Sequence, residues 1–262
     1  GAWRRLAEHG TIIKEWQINT ETAELDIDDL RNLLSEKTRI VAVTHCSNIV
    51  GSINDLKSIA ELVHQYDAYI VGDGVSYAPH GLPNVKDLGV DFYAFSLYKT
   101  YGPHLGLLYG KKEILNTLPN QNHEFLEGDV PYTLNPGGPN HEELSCLIGV
   151  YEYFNNLFEH HFHVNNLSIR EKINKINDLI AKHEKEIANP LLDYLNNRSD
   201  IRLIGKKTIS DKDRAPTIAF TMNNKTSKEL SSELVKHGIA TRNDNFYAWR
   251  CLMALGIEVN DG

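Results

Sequence analysis

Residues 91–103 read Asp91-Phe92-Tyr93-Ala94-Phe95-Ser96-Leu97-Tyr98-Lys99-Thr100-Tyr101-Gly102-Pro103. The apolar run from Phe92 to Phe95 stops at a serine, and a lysine follows just ahead of a Gly-Pro turn. A short apolar run bounded in this way predicts a buried strand with polar residues at its carboxyl end. Two similar segments precede it. Residues 39–43 lead into Thr44-His45-Cys46-Ser47-Asn48, and residues 68–71 lead into Gly72-Asp73-Gly74-Val75-Ser76. Between these two, Asn54-Asp55 offers a helix N-cap, and Leu56, Ile59, Leu62 and Val63 recur at helical spacing up to Tyr66. A fourth run, residues 105–109, follows the Gly-Pro turn.

Strands alternating with helices of this length predict an α/β fold, a mainly parallel sheet with helices on both faces. In such sheets ligands gather at the carboxyl ends of the strands. Further on, residues 141–158 read as a helix opening after Pro139-Asn140. Residues 165–197 form a long charged helical stretch with Ile169, Ile173, Ile176, Leu179 and Ile180 on one face. Pro190 is expected to kink or break it. Residues 201–204, 217–221 and 239–241 read as strands, and residues 228–237 as a helix. This places a domain boundary near residue 165: a large domain over 1–164 and a small α/β domain over 165–262.

The composition is that of an ordinary globular protein, with 41% hydrophobic and 24% charged residues in a chain of 262. The net charge of −8 argues against a general nucleic-acid binder. No apolar run approaches the ~18 residues of a membrane span. Three scattered cysteines do not make a disulfide framework, so the expected compartment is a reducing cytoplasm.

Three strand ends thus bring polar residues to one sheet edge. Asp73 and Lys99 at neighbouring strand ends fit a pyridoxal phosphate site. A lysine amine bonds the cofactor aldehyde, and an aspartate keeps the ring nitrogen protonated so that the ring draws in electrons. Asn48 and Ser76 are candidates for the ring oxygen and Ser96 for the phosphate, while Gly74 and Gly102 would admit close backbone approach. The plainer alternative is a capping aspartate and a surface lysine.

The wording around these residues resembles the class V aminotransferase family, and within it the cysteine desulfurase and selenocysteine lyase branch. The resemblance rests on Thr38 to Asn48, Val71 to Gly74 and Asp91 to Pro103, and runs from about Trp3 through Gly149, more weakly beyond. It implies a two-domain pyridoxal phosphate enzyme acting on an amino acid, a homodimer with its sites at the subunit interface. By position, Lys99 matches the Schiff-base lysine, Asp73 the partner of the ring nitrogen, Asn48 the asparagine near the ring oxygen and Ser96 the phosphate-binding serine. The stretch 135–140, with Gly137 and Gly138, resembles the loop that meets the neighbouring subunit's cofactor phosphate.

There are departures from the pattern. Ser76 stands where desulfurases usually have glutamine. Tyr98 stands where histidine usually precedes the lysine; its hydroxyl can still donate to a phosphate but carries no charge. Arg242 resembles the arginine shortly before the nucleophilic cysteine, yet that position falls at Phe246 or Tyr247. Cys251 lies beyond it, on the expected next helix, and reads as structural, as does Cys46. His45 has two readings, a substrate-side group beside Arg242 or a satisfied histidine at a strand end. His104 reads as a turn residue, Glu159 to His163 as a solvated helix end and not a metal site, and Ser210 to Arg214 as a solvated loop. The family's ring-stacking residue would precede Gly1 and its carboxylate-binding arginine would follow Gly262, so the chain reads as the middle of a longer protein. The resemblance leaves lyase, transaminase and epimerase outcomes open, and a non-catalytic relative is the rival from another class.

Overall fold

The computed structural model describes residues 2–135 and 137–260. Gly1, Gly262 and Pro136 of the 135–140 stretch lie outside the described residues. In chain order the helices are α1 (Ala2–Arg5), α2 (Ile27–Leu33), α3 (Leu56–His64), α4 (Val85–Leu88), α5 (Lys112–Leu115), α6 (His141–Ser145), α7 (Leu147–His161), α8 (Ile169–Asn196), α9 (Ser227–Lys236) and α10 (Trp249–Ala254). The strands are β1 (Ile40–Thr44), β2 (Tyr69–Asp73), β3 (Phe92–Ser96), β4 (Gly106–Gly110), β5 (Ile201–Leu203) and β6 (Phe220–Met222).

The main sheet has the order β1-β2-β3-β4. β1, β2 and β3 run parallel, in a register that lines up Thr44 with Asp73 and Asp73 with Ala94. β4 is antiparallel to β3. The connection over 97–105 is too short for the crossover a parallel pair needs, so the chain turns back on itself.

α3 forms where the sequence marks it. The Asp55 side chain accepts from the backbone N–H groups of Lys57 and Ser58 at 3.1 and 3.2 Å, and Asn54 Nδ2 donates to the Thr44 carbonyl at 2.9 Å. Leu56, Ile59, Leu62 and Val63 bury their side chains against Val43, Ile70 and Tyr93. At roughly 1.5–3 kcal/mol for each large apolar side chain removed from water, this face holds the sheet. α2 and α4 pack on the same side through Leu30, Val85 and Leu88.

Within the expected α/β class there is one refinement. Alternation along the strands sends Ile40, Ala42, Tyr69, Val71, Phe92, Ala94 and Leu108 to the opposite face, and Ile40, Tyr69 and Leu108 are each about half exposed. The helices of this core cluster cover one face only.

Asp91 ties the sheet together from the start of β3. The residue is buried, and its carboxylate accepts from Ile70 N–H at 2.8 Å, His64 Nε2 at 2.9 Å and Lys111 Nζ at 2.7 Å. Burial pulls this carboxyl up, but Lys111, the Ile70 N–H and His64 outweigh burial and hold it below the usual carboxylate range.

The second half departs from expectation in four places. The 141–158 helix is two pieces, α6 and α7, meeting at Cys146 and reaching His161. α8 is not broken at Pro190. An internal proline costs about 3 kcal/mol or more, but α8 is anchored on both sides of it. Ala188 and Leu192 are buried against Ile209, and Asn189 exchanges two hydrogen bonds with the Ile209 backbone. Residues 239–241 form no strand, because the Ile239 N–H closes the end of α9 by donating to the Leu234 carbonyl after Gly238 (φ 72°). Arg214 is not solvated. It is buried, and its guanidinium donates to the carbonyls of Ile204, Lys206 and Thr217 at 3.3, 2.6 and 3.0 Å. On α8, Ile176 is buried against Phe154 and Phe158 of α7, with Ile173 and Ile180 beside it, whereas Ile169 is exposed.

Candidate active site at the carboxyl edge of the sheet

Lys99 stands on a single 3-10 turn, Leu97–Thr100, that leaves the end of β3. The turn is tight for identifiable reasons. Leu97 N–H donates to the Leu105 carbonyl, and the Leu97 carbonyl accepts from the Thr100 hydroxyl at 2.9 Å and from Gly102 N–H at 2.9 Å. Tyr101 closes it with φ 65°. Lys99 is partly buried and, among the described residues, its amine makes no hydrogen bond or ion pair.

Asp73 ends β2, directly across from Thr44 and Ala94. Its side chain is exposed, and its Oδ1 accepts from Val75 N–H at 3.1 Å. Ser76 and Ser96 are partly buried on the same edge and make no side-chain hydrogen bond among the described residues. The parallel register thus gathers Asn48, Asp73, Ser76, Ser96 and Lys99 on one edge although they span more than fifty positions.

Gly74 has a different reason from the one its sequence suggests. A Cβ there would meet the ring and hydroxyl of Tyr93 at 2.1 Å, so the close approach it permits is to a side chain of the protein itself. Gly102 similarly faces the Leu97 carbonyl, at 3.0 Å. His45 is 4% exposed. Its Nδ1 lies 2.8 Å from the Tyr93 hydroxyl, and its ring stacks on Tyr77 with 3.6 Å between centroids. Burial drives its pKa down to about 3 against the pull of Asp55, so it is uncharged at neutral pH. This is the environment of the satisfied strand-end histidine.

Asn48 reaches across the molecule. Its Nδ2 donates to the Phe246 carbonyl at 2.7 Å, and the Arg242 guanidinium lies 5.4 Å from the Phe246 ring centre. Arg242 is therefore brought to the Asn48 corner of the edge. Phe246 and Tyr247 both have positive φ, and Tyr247 is fully exposed. Tyr98 is half exposed with its ring 4.6 Å from that of His104. Gly137 and Gly138 lie in open space, their loop held by Asn122, which accepts from Gly137 N–H at 3.2 Å. No hydrogen bond or ring contact among the described residues joins that loop to the edge.

The cysteines are not presented to the site as nucleophiles. Cys46 is buried and its thiol is pushed up to about 12, chiefly by burial. Cys251 sits on α10 beside Ile49, Val50 and Leu252, and burial raises its thiol too. Cys146 is exposed at the end of α6.

The site is an open edge. A cavity of about 710 Å³ lies elsewhere, between residues 16–29 and the start of α3. Among the described residues no group of three metal-ligating side chains comes together, and no helix is long and apolar enough to cross a membrane.

The residues that sequence reading missed are Tyr77 and Tyr93, which enclose His45. The available signal was the pair of glycines on either side of Asp73, facing a tyrosine one strand away.

Comparison with known proteins bears on the family and the fold. The chain is 37% identical over 236 residues to an aminotransferase-like protein, FGM3, of Gibberella zeae, covering 88% of this chain and 55% of that protein. It is 32% identical over 251 residues to a probable cysteine desulfurase of Halalkalibacterium halodurans, covering 92% of this chain and 56% of that one. The fold superposes on the crystal structure of the cysteine desulfurase CsdA of Escherichia coli with a TM-score of 0.74 and 25% identity, over 97% of this chain and 61% of that one. The chain thus spans little more than half the length of these relatives. Residues 1–160, more than half of the chain, match the family described as aminotransferase class-V, and the chain belongs to the class-V aminotransferase family.

Proposed function

We propose that this chain carries the cofactor-binding part of a pyridoxal phosphate-dependent enzyme acting on an amino acid, with Lys99 as the lysine that bonds the cofactor. The observation that carries the reading is the placement of Lys99 on the turn after β3, its amine without a partner among the described residues, beside an exposed Asp73 at the end of the adjacent parallel strand. The donor set fits the group: an amine for the aldehyde carbon, a carboxylate for the ring N–H, an amide at Asn48, and hydroxyls at Ser76, Ser96 and Tyr98.

When bound, pyridoxal phosphate supplies an electron sink for a carbanion at the substrate Cα. Asp73 supplies the negative charge that holds the ring nitrogen protonated. With the group bound, the Lys99 amine would be the base that moves the substrate Cα proton. Arg242, held over Phe246 at the Asn48 corner, is the cation available to a substrate carboxylate. We further propose that the active form is a homodimer in which the exposed Gly137-Gly138 loop serves the partner's site.

The outcome of the reaction is proposed to be independent of a cysteine thiolate. Residues 242–248 carry Phe246 and Tyr247 where a desulfurase presents its thiol, and the nearest cysteine in sequence, Cys251, packs from α10 against the cluster of Ile49, Val50 and Leu252. Sulfur abstraction needs an accessible thiolate. An aminotransferase, lyase or epimerase outcome fits better than desulfuration.

The test is absorbance. The whole protein mixed with pyridoxal phosphate should develop a visible band that is lost in Lys99→Ala. Persistence of the band in that variant refutes the assignment. Sulfide release from cysteine that is abolished by Cys251→Ala would refute the thiol-independent reading.

A further inference from the structure

Tyr93 lies at 0% exposure in the middle of the sheet, and its ring runs along the two glycines that flank Asp73. A Cβ on Gly72 would meet Tyr93 Cδ2 at 2.8 Å, and one on Gly74 would meet Cε1, Cζ and Oη at 2.1 Å. The ring therefore occupies the volume that side chains on either side of Asp73 would need. Its hydroxyl meets His45 Nδ1 at 2.8 Å, and the His45 backbone N–H donates to the Asp73 carbonyl at 2.7 Å. The His45 ring stacks on Tyr77, whose N–H donates to the Gly74 carbonyl at 3.0 Å. The peptides before and after Asp73 are thus fixed by one closed set of side chains, Tyr93, His45 and Tyr77.

We infer that Tyr93 and His45 are positioning residues for Asp73: their buried hydrogen bond fixes the Gly72-Asp73-Gly74 backbone so that the carboxylate stands at the sheet edge, aimed at a pyridinium nitrogen. This rests on the cofactor reading given above. Groups that touch a ligand keep productive geometry only when the residues behind them are locked by packing and hydrogen bonds. The electrostatics suit the role. Burial, followed by nearby Tyr77 and Asp73, raises the Tyr93 phenol above the ordinary tyrosine range, so it stays a neutral hydroxyl that shares one hydrogen bond with His45 Nδ1. His45 stays uncharged, so it adds no second cation to compete with the ring N–H for the Asp73 charge.

The experiment is a titration of the whole protein with pyridoxal phosphate, read as the Lys99-dependent visible band. Tyr93→Phe keeps the ring against both glycines and removes one oxygen. It should weaken cofactor affinity about tenfold while the fold and melting temperature stay near those of the parent. His45→Leu should do the same, and His45→Asn, which keeps a hydrogen-bonding group near the place of Nδ1, should restore much of the affinity. In an Asp73→Asn background, Tyr93→Phe should weaken binding no further, because its effect runs through that carboxylate. A Tyr93→Phe protein within twofold of the parent, or effects of Tyr93→Phe and Asp73→Asn that simply multiply, would overturn the inference and leave the cofactor reading standing. If the parent itself forms no Lys99-dependent band, the cofactor reading falls and this inference with it.

Discussion

Replacing Lys111 by methionine tests the buried ion pair that joins β2, β3 and β4. Met keeps most of the aliphatic stem and removes the ammonium that lies 2.7 Å from Asp91 Oδ1. The Asp91 side chain is 4% exposed, so it cannot recover the loss from bulk water. Removing one partner of a buried pair costs about 3–5 kcal/mol. Here the Ile70 N–H and His64 remain, and the Lys111 side chain is 28% exposed, so a smaller loss, about 2–3 kcal/mol, is expected. Urea unfolding at pH 7 reads the loss as a lower midpoint. Asp91→Asn combined with Lys111→Met should cost less than the sum of the singles, because neither then strands a buried charge. The pH dependence has a definite sign. Asp91 is depressed in the folded state, so its contribution is present above the ordinary carboxylate pKa of about 3.9 and is lost as pH falls through the folded value. Without Lys111, burial is no longer outweighed to the same degree, and the acid loss should begin at a higher pH. Singles that add to the double within about 0.5 kcal/mol, or an acid limb for Lys111→Met that overlays the parent, would refute the reasoning.

Other outcomes follow from the same geometry. Gly74→Ala should destabilise the chain by about 3 kcal/mol or more, since its Cβ would overlap the immobile Tyr93 ring, whereas Gly149→Ala, which faces open space within a helix, should be neutral or slightly stabilising; thermal unfolding separates the two. Asp55→Ala removes the cap of α3 and should cost about 1 kcal/mol by the same measurement. Timed thiol alkylation under native conditions should label exposed Cys146 first, with Cys46 and Cys251 protected until the chain unfolds.

The main sheet was legible in the sequence because its strands are short apolar runs ending in polar residues, and α3 because its cap and its apolar spacing are both local. The gathering of Asn48, Asp73, Ser96 and Lys99 followed from parallel strand order alone. Features set by distant contacts were not legible. Nothing near Asn48 announces that its amide meets Phe246, 198 positions away. Pro190 reads as a breaker until Ile209 is seen bonding to Asn189 beside it. Arg214 reads as solvated because its three acceptors are backbone carbonyls, which carry no sequence signature. The direction of β4 follows from the length of its connection, which is too short for a parallel crossover.

The open side of the main sheet bears on how the chain behaves in the laboratory. Ile40, Tyr69 and Leu108 stand half exposed on it, and among the described residues β1 and β4 have no neighbour on their outer sides. Parallel strands are ordinarily covered on both faces, and unpaired sheet edges with apolar flanks recruit other chains. Produced by itself at high concentration, this polypeptide is therefore expected to form aggregates or inclusion bodies despite its net charge of −8. Dilution, mild detergent or charged replacements at Ile40 and Leu108 are the rational first measures for obtaining it in a form on which binding can be measured.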